Sequence, residues 1–503
     1  MVFLCARWGA GGCSSPRVLV MRKERMMRTV MLASLLVGFA LPCGAGALAA
    51  QRPEQLSPQV LRYVTVLEPV VALVNVRVID GTGSPAVDGR TIVIRDGRIA
   101  EVGPSTAVTV PPGARVLDFA GHTVIPGIVG LHNHTYYSFG GRSVQMSYTG
   151  PRLYLAGGVT TIRTAGAQHP YAELNMKRGI AAGLVPGPRV HASGPYMNGE
   201  VGPGGTSPPL MTEADARRVV AYWAEEGATW LKASGSITRA VLGAAIDEAH
   251  RRGMGFTGHL CSVTFREAAA LGIDNLEHGL ITNSDYVKDK RPDVCPPENM
   301  RAQVDVDVQG EDVKATFRDL IARGVSVTST LSVYELFVRE RAPLDPRVLE
   351  ALAPEARQAL ETDRQALMST TNFSVPLLLF QKMMQWELAF VRAGGLLAAG
   401  VDPWGNGSLP GYGDQRNYEV LVEAGFTPEQ AVQIMTLNGA RVLREDSLYG
   451  SIERGKLADL VVLRGDPVRT PSDIRNVVLV LREGVGYDPA RLIADVRGQI
   501  GSR

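Results

Sequence analysis

Short segments in which apolar and polar residues alternate lie near both ends of the chain. Near the start they are VALVNVRVID (71–80), TIVIRDGRIAEVG (91–103) and ARVLDFAGHTVIP (114–126). Asp-Gly and Gly turns separate them, as is typical of antiparallel strands. The same pattern returns in ADLVVLRGDP (458–467) and NVVLVLREG (476–484). This pattern predicts a small composite β-sandwich built from both ends of the chain.

The middle of the chain alternates strand-like segments with helix-like ones. The helical stretches include TEADARRVVAYWAEEG (212–227) and RAVLGAAIDEAHRRG (239–253), with Thr212 and Gly253 as start and stop signals. Eight parallel strands with helical crossovers favour a (β/α)8 TIM barrel within an α/β fold, with a doubly wound sheet as the alternative. The strand candidates are 124–134, 159–166, 188–194, 228–235, 255–260, 274–280, 325–332 and 396–402.

A leader precedes these segments. After Met21, basic residues are followed by an apolar run over 29–41 and then by small residues ending at Ala49. This layout predicts a secretory signal peptide, because the apolar run is shorter than the ~20 residues of a membrane span. We therefore expect a periplasmic or secreted protein with no stable membrane span after signal removal. Our hypothesis is that translation begins at Met21 or at one of the two methionines that follow it.

The predicted organisation has four parts. These are a signal peptide with an over-long start (1–50), the N-terminal part of the sandwich (51–125), the barrel (126–442), and the C-terminal part of the sandwich with a tail (443–503). The 503 residues carry a net charge of +2, which gives no electrostatic reason to expect nucleic acid or an anionic membrane as a partner. The sequence contains no phosphate-binding GxxxxGK[ST] loop, and no dinucleotide-binding GxGxxG motif follows a first strand. No nucleotide cofactor is therefore indicated.

Cysteine usage adds one open question. Three of the five cysteines fall in the leader, so the mature chain keeps Cys261 and Cys295. The chain is therefore no disulfide scaffold, and whether these two cysteines pair after export stays open.

Candidate chemistry lies where the predicted barrel strands end. His132 and His134 are two of only eight histidines, and they follow the first strand one residue apart, in LHNH. Side chains two apart on a strand point the same way, and the carboxyl ends of barrel strands are where active sites form. The other strands end in a lysine, two histidines and an aspartate. These residues are Lys232, His259, His278 and Asp402.

These residue types suit a metal centre. Imidazole and carboxylate are ligands for Zn²⁺ and similar ions. Lys232 could join them after reaction with CO₂, because the resulting carbamate has two oxygens that can bridge two cations. Two ions ~3.5–4 Å apart would hold a bridging hydroxide and polarise a carbonyl or phosphoryl oxygen. Asp402 could then serve as both ligand and general acid/base. The alternative for Lys232 is a solvated surface charge.

The motifs resemble the metal-dependent amidohydrolase superfamily. They are VIPGIVGLHNH, WLKASGS, FTGHL, NLEHG and AAGVD in that order, with the opening VRVIDGTG and the tail TPEQAVQIMTLNGARVL followed by SIERGKLADLVVL. The resemblance implies a distorted (β/α)8 barrel with a composite β-sandwich, and hydrolysis at a metal centre. Its branch is that of exported prolidase- and carboxypeptidase-like enzymes related to imidazolonepropionases. These enzymes act on dipeptides or N-acyl amino acids.

The resemblance also implies individual roles. His132 and His134 would hold a buried metal, with Asp402 as a further ligand and catalytic acid/base. Carboxylated Lys232 would bridge to a second metal, which His259 and His278 would hold. The implied cofactors are two divalent ions, with Zn²⁺ expected. The implied partner is a small-molecule or short-peptide substrate, and we expect a homo-oligomer.

Substrate contacts are expected from four further residues. Arg163 ends the second strand, where a buried cation would bind a substrate carboxylate or pair with a neighbouring acid. Tyr196 and Asn198 lie in a Gly-rich loop, 195–205, after the third strand; the loop could line the substrate pocket, and the alternative is a flexible surface loop. His191 is a candidate for indirect support of the site.

Other functions remain open at this point. A lactonase or phosphotriesterase could use the same two metals. A mononuclear cyclic-amidine hydrolase or deaminase is less favoured, because HLCSVTF (259–265) lacks the acid expected after that histidine. A non-catalytic scaffold protein would be expected to have lost ligands. The polar, proline-broken segment 281–310 is a candidate lid or specificity element.

Overall fold

The computed structural model describes residues 53–199, 209–341, 344–369 and 374–502. The predicted signal peptide and the second half of the loop 195–205 lie outside these residues. The strands of the described part of the chain are β1 (Val64–Val66), β2 (Val70–Val78), β3 (Val87–Arg95), β4 (Arg98–Pro104), β5 (Arg115–Asp118), β6 (His122–Pro126), β7 (Ile128–Asn133), β8 (Tyr136–Phe139), β9 (Arg142–Gln145), β10 (Val159–Thr164), β11 (Arg189–His191), β12 (Ser193–Met197), β13 (Trp230–Ala233), β14 (Gly255–Gly258), β15 (Asn275–Glu277), β16 (Ser326–Ser329), β17 (Leu397–Ala399), β18 (Leu460–Arg464), β19 (Val477–Arg482) and β20 (Val485–Tyr487).

Helices fill most of the connections between these strands. The predicted start and stop signals lie at helix ends: the Thr212 side chain accepts a hydrogen bond from the amide of Asp215, and Gly253, with φ 71°, follows the end of its helix. No helix in the described residues is long and apolar enough to cross a bilayer. The helices are α1 (Pro58–Leu61), α2 (Thr149–Ala156), α3 (Pro170–Ala181), α4 (Glu213–Glu226), α5 (Arg239–Arg251), α6 (Phe265–Ala270), α7 (Asn299–Ala302), α8 (Glu311–Ala322), α9 (Leu331–Glu335), α10 (Pro346–Ala351), α11 (Pro354–Ser369), α12 (Leu377–Arg392), α13 (Tyr412–Glu423), α14 (Pro428–Met435), α15 (Leu437–Val442) and α16 (Pro489–Val496).

Both ends of the chain contribute strands to one sheet. The order is β1-β20-β19-β18-β6-β2-β3-β4, and β5 pairs with β2. The central contact between the two ends is the antiparallel pair of β18 and β6. Among the described residues these strands form a single nine-stranded sheet, so the predicted sandwich is not confirmed. Several of these strands, such as β18 over Leu460–Leu463, are buried on both faces, and the alternation in the sequence carries no information on how many layers the strands form.

The central region is a mixed α/β arrangement of parallel strands. All eight predicted strand positions are strands, in a three-stranded sheet β11-β10-β7 and a six-stranded sheet β12-β13-β14-β15-β16-β17. The predicted first strand, 124–134, divides at Gly127, because its first residues belong to β6 of the nine-stranded sheet. Only Ala192 separates β11 from β12, so one predicted strand contributes to both parallel sheets.

A closed barrel is not shown by the strand pairing of the described residues. No ladder joins β17 to β7 in that part of the chain. The two strand ends are nevertheless adjacent, because the amides of Val401 and Asp402 donate to the carbonyl of His132 at 3.1 and 2.8 Å. These bonds bring the chain after β17 beside the first metal-ligand candidate.

The two cysteines of the predicted mature chain form a disulfide. Cys261 and Cys295 have Cα atoms 4.8 Å apart and are separated by 34 residues in sequence. The bridge ties the loop after β14 to the segment after β15. Cys261 is therefore no free thiol beside His259, which resolves the question left open by the sequence.

Gly400 has no room for a side chain, because the chain after β17 passes close to His132. A Cβ atom at Gly400 would lie 2.3 Å from the backbone nitrogen of His132 and 2.7 Å from its Cα. We predict that Gly400→Ala lowers the free energy of unfolding by ~1–3 kcal/mol, the usual cost of overpacking. Urea denaturation measures this change.

The matched control is Gly179→Ala in α3. Its added Cβ would meet only Val185 Cγ2, at 3.4 Å. Alanine is also the better helix former by about 0.8–1.0 kcal/mol. Equal unfolding midpoints for the two variants would contradict the steric account of Gly400.

Candidate metal centre

One cavity of about 840 Å³ brings the predicted metal ligands together. Each of them ends or follows a parallel strand: the two histidines of LHNH at β7, the lysine within β13, and the others after β14, β15 and β17. Strand ends at one edge of parallel sheets form such a cavity because their loops diverge there. All six predicted ligands are among the residues that line it, namely His132, His134, Lys232, His259, His278 and Asp402.

Four of these side chains meet at close range. His132 Nε2 lies 3.2 Å from Lys232 Nζ and 3.5 Å from Asp402 Oδ1. His134 Nε2 lies 3.1 Å from the same Asp402 oxygen. His132 Nε2 therefore lies between the lysine amine and the carboxylate that also contacts His134.

The remaining two histidines lie next to this group. The ring centroid of His278 is 4.4 Å from that of His132 and 4.6 Å from that of His259. The Nδ1 atom of His278 lies 2.7 Å from the Thr330 hydroxyl, which fixes the ring. Its Nε2 atom is buried and has no hydrogen-bond partner among the described residues. A buried nitrogen without a partner is costly unless another group binds it.

Two of the six residues adopt an unusual backbone conformation. His278 has φ 68° and Asp402 has φ 49°, in the left-handed region that residues other than glycine seldom occupy. The conformation turns each side chain into the cavity immediately after its strand. Strain of this kind clusters at functional sites, where the surrounding structure maintains it.

Burial sets the protonation of the rings. It holds the pKa values of His132 and His278 well below the ordinary value, and it lowers the pKa of His259 to about 4. Burial also lowers the pKa of His134. All four imidazoles are therefore neutral at pH 7, the form that ligates metals.

The lysine and the aspartate shift in a way that suits the same purpose. Burial lowers the pKa of Lys232 to about 8, so a substantial fraction of its amine is neutral near that pH. Burial raises the pKa of Asp402, but the nearby His132 and His134 outweigh that effect and the pKa lies below its usual value. Asp402 is consequently an anion with an oxygen free to bind a cation.

Glu277 is the hydrogen-bond partner behind the ring of His132. His132 Nδ1 lies 2.8 Å from Glu277 Oε2, so Nδ1 carries the proton and the Nε2 lone pair faces the cavity. The other Glu277 oxygen accepts hydrogen bonds from Arg163 and Thr257, both at 2.5 Å. A carboxylate behind a ligating histidine fixes its tautomer and raises its basicity.

This arrangement corrects the expectation for Arg163. Its guanidinium is fully buried, bonds Glu277 and the side-chain oxygen of Asn275, and does not line the cavity. A substrate carboxylate cannot reach it there. The alternative given by the sequence, pairing with a neighbouring acid, is what the structure shows.

Of the other three expected substrate contacts, one lines the cavity and two do not. Tyr196 lines the cavity, and its hydroxyl lies 2.7 Å from that of Tyr136. Asn198 instead accepts hydrogen bonds from the backbone and the hydroxyl of Ser236, outside the cavity lining. His191 lies 3.2 Å from Glu445, away from the cavity, because it precedes the break between the two sheets.

The cavity mouth is formed by elements other than the expected lid. No described residue of 281–310 lines the cavity; the segment packs against α12, where Lys382 donates to the carbonyl of Val306 at 2.6 Å. The hairpin of β8 and β9 and the aromatic residues of 334–337 line the mouth instead. Sequence reasoning missed them, although the aromatic-rich run YYSF directly after LHNH was an available signal.

The donor set fits divalent cations. Within the described chain, one group of side chains with metal-ligand spacing stands out, namely His132, His278 and Asp402, whose ligand atoms all lie within 4.8 Å of one another. Neutral imidazoles, an ionised carboxylate and the orphaned Nε2 of His278 are what a cation would complete.

Comparison with known proteins agrees with this chemistry. Residues 123–373 and 412–486 match the model of the amidohydrolase family. The chain belongs to the amidohydrolase family. This membership confirms the family resemblance predicted from the sequence, and enzymes of the family generally use divalent metals. It also supports the prediction of an enzyme that hydrolyses carbon–nitrogen bonds.

Individual relatives cover the chain to different extents. The dihydroorotase of Anaeromyxobacter dehalogenans is 40% identical over 133 residues, a match that spans 25% of this chain and only 29% of that protein. The dihydroorotase of Pelotomaculum thermopropionicum is 26% identical over 418 residues, which are 78% of this chain and 89% of that protein.

Solved structures show the same fold. A "putative prolidase" from Bifidobacterium longum has a TM-score of 0.62 and 25% identity, and the match covers 86% of this chain and all of that one. A Xaa-Pro dipeptidase with bound methionine also has a TM-score of 0.62, over 83% of this chain and 100% of that one, at 18% identity. The second likeness concerns the fold alone.

We predict that Glu277→Gln weakens divalent-metal binding by about 10–100-fold, because the amide is a poorer acceptor for His132 Nδ1. Competition with a chromophoric chelator measures the affinity. Glu311→Gln in α8, an exposed site, is the control. Circular dichroism checks that both variants are folded. A folded Glu277→Gln variant with unchanged metal affinity would show that this carboxylate does not support the site.

Proposed function

We propose that this chain is an exported, metal-dependent amidohydrolase that cleaves the C–N bond of dipeptides or N-acyl amino acids. The observation that carries the proposal is that all six donor side chains line one cavity. Family membership supports the reaction class. The relative from Bifidobacterium longum, assigned as a prolidase, supports the peptide-like substrate.

In this proposal the cavity holds two divalent ions, with Zn²⁺ as the expected metal. His132, His134 and Asp402 would bind the first ion, and His259 and His278 the second. The close approach of the first three to one another supports the first group. The orphaned Nε2 of His278 supports the second.

Lys232 is the proposed bridge between the ions. Its pKa of about 8 leaves enough neutral amine to attack CO₂, forming an N–C bond and releasing one proton to solvent. The product is an anionic carbamate with two donor oxygens. Replacing a buried cation by this anion also removes an unfavourable charge from a site designed for cations.

Asp402 is the proposed general acid/base. When bound, the two ions supply Lewis acidity toward the substrate carbonyl and lower the pKa of water. Asp402 accepts the proton of the attacking water and then delivers it to the nitrogen of the leaving amine as the C–N bond breaks. Its lowered pKa keeps it ionised before each turnover, which is the form that binds a cation.

Two further points complete the proposal. The disulfide of Cys261 and Cys295 supports export, because such bridges persist in oxidising compartments. We also propose that the eight parallel strands form a distorted closed barrel, which the hydrogen bonds from Val401 and Asp402 to His132 support.

Replacement of Lys232 tests the bridge. We predict that Lys232→Ala lowers the bound metal from two ions to one per chain and lowers kcat/KM on the order of 10²-fold or more, because the shared ligand is lost. Elemental analysis after metal loading in bicarbonate measures the stoichiometry. Lys314→Ala in α8 is the control, since Lys314 is exposed and pairs with Glu311. Two ions retained in Lys232→Ala would refute the bridging role.

A substrate panel tests the reaction class. With the metal-loaded chain, we expect release of amino acids from dipeptides or N-acyl amino acids at rates at least about tenfold above those for lactones and phosphotriesters. The expectation rests on the family match, which supports hydrolysis of carbon–nitrogen bonds, and on Asp402 as the acid that a leaving amine requires. Turnover confined to lactones or phosphotriesters would overturn the proposal in favour of that alternative.

A further inference from the structure

A β-hairpin forms one side of the cavity mouth. Its strands β8 and β9 pair from Tyr136↔Gln145 to Phe139↔Arg142, and Gly140 and Gly141 make the turn. The amide of Ser138 donates to the carbonyl of Trp404 at 2.8 Å, which anchors the hairpin to the loop after Asp402. The hairpin begins two residues after His134, so it extends directly outward from the metal-ligand candidates.

The tip of this hairpin carries a cation. Among the described residues that line the cavity, Arg142 is the one arginine and Lys232 the one lysine. Lys232 lies in the buried interior, whereas the side chain of Arg142 is 36% exposed. The guanidinium lies over the Phe139 ring, 4.5 Å from its centroid, which restricts its orientation.

The present partner of Arg142 is weakly held. Arg142 pairs with Glu355 of α11, and that carboxylate is 76% exposed. Ion pairs between exposed groups contribute little to stability, so exchanging Glu355 for another carboxylate costs little. Arginine also binds carboxylates through two parallel hydrogen bonds, which gives directional recognition.

Aromatic side chains line the same cavity. The rings of Phe337 and Trp404 lie nearly parallel, with centroids 6.4 Å apart and an interplanar angle of 13°. Tyr334 lines the cavity beside them. Aromatic walls of this kind bind large apolar groups by stacking and by burial of apolar area.

We infer that the cavity selects substrates whose leaving amino acid combines a free carboxylate, bound by Arg142, with a bulky aromatic side chain, bound by Phe337 and Trp404. The inference rests on the proposed function and narrows it to N-acyl aromatic amino acids and dipeptides with an aromatic C-terminal residue. Hydrolysis consumes one water and releases the acyl carboxylate and the aromatic amino acid.

Among the described residues that line the cavity, Asp363 is the carboxylate near the mouth that opposes this assignment. It is exposed and lines the cavity, and its charge would attract a free amine rather than a carboxylate. Arg142 is favoured because it can exchange its solvent-exposed partner, Glu355, for a substrate carboxylate at little cost in free energy. In Asp363→Asn the preference for a substrate carboxylate should stay intact or rise, because a repelling charge is removed, and loss of that preference would count against Arg142.

The test compares N-acetyl-L-phenylalanine with its neutral amide and with N-acetylglycine. In the metal-loaded wild type we expect the acid to exceed the amide in kcat/KM by at least about tenfold, from charge-assisted bonds to Arg142. In Arg142→Met that ratio should fall toward one, mainly through a higher KM for the acid. Arg357→Met, on the same helix as Glu355 and outside the cavity lining, should keep the wild-type ratio.

Glu355→Gln separates recognition from a structural ion pair. If Arg142 binds the substrate, removal of its competing partner should keep or raise the preference for the acid. If the pair merely holds the hairpin, Glu355→Gln should behave like Arg142→Met. Equal loss of the acid preference in both variants would therefore overturn the assignment of Arg142.

The aromatic wall is tested by side-chain preference. We expect N-acetyl-L-phenylalanine to exceed N-acetylglycine in kcat/KM, and Trp404→Ala to reduce that preference about tenfold. An unchanged preference in both Trp404→Ala and Phe337→Ala would overturn this part of the inference. Their circular dichroism and metal content, measured alongside, verify that each variant is folded and loaded.

Failure of the inference can be distinguished from failure of the proposed function. Turnover of all three compounds at similar kcat/KM would contradict the inference about Arg142 and the aromatic wall, and it would still support the proposed amidohydrolase function. If none is turned over, calorimetric binding of N-acetyl-L-phenylalanine decides the inference separately. Binding that weakens at least about tenfold in Arg142→Met supports it, and equal affinity contradicts it.

Discussion

The hydrogen bonds at Glu277 are the contacts on which the rest of the site depends. Its carboxylate links a buried arginine, Arg163, to the ring of His132, and none of these three side chains reaches solvent. Removing one partner of a buried ion pair costs about 3–5 kcal/mol. The pair is thus a fixed support that points the Nε2 lone pair of His132 into the cavity, and the neighbouring ligands assemble around that atom.

Burial has a second consequence in the same place. It keeps the imidazoles neutral and lowers the pKa of Lys232 to about 8, while Asp402 stays ionised. Buried neutral imidazoles beside an ionised carboxylate leave lone pairs that a bound cation would satisfy. Folding and metal binding are therefore expected to be coupled, as in other buried metal sites.

The sequence predicted the parts of this site that depend on local order. Strand alternation and turn residues placed His132, His134 and Asp402 at strand ends, and parallel strands bring such ends together. It could not predict that Arg163 turns down to an acid 114 residues away. That choice depends on packing between distant strands, as does the number of layers that the strands from the two chain ends form. The position of the β8–β9 hairpin at the mouth could not be predicted either, because it depends on the contact of Ser138 with Trp404 in the distant loop after β17.

The central claim is that these six side chains hold two cations, with a modified Lys232 as the ligand shared by both. Anomalous diffraction at the metal absorption edge, from crystals grown with a divalent metal and bicarbonate, tests it most directly. The account predicts two peaks ~3.5–4 Å apart, with extra density for one CO₂ on the Lys232 amine between them. An empty cavity, or a single peak beside an unmodified Lys232 that points away from it, would contradict the account.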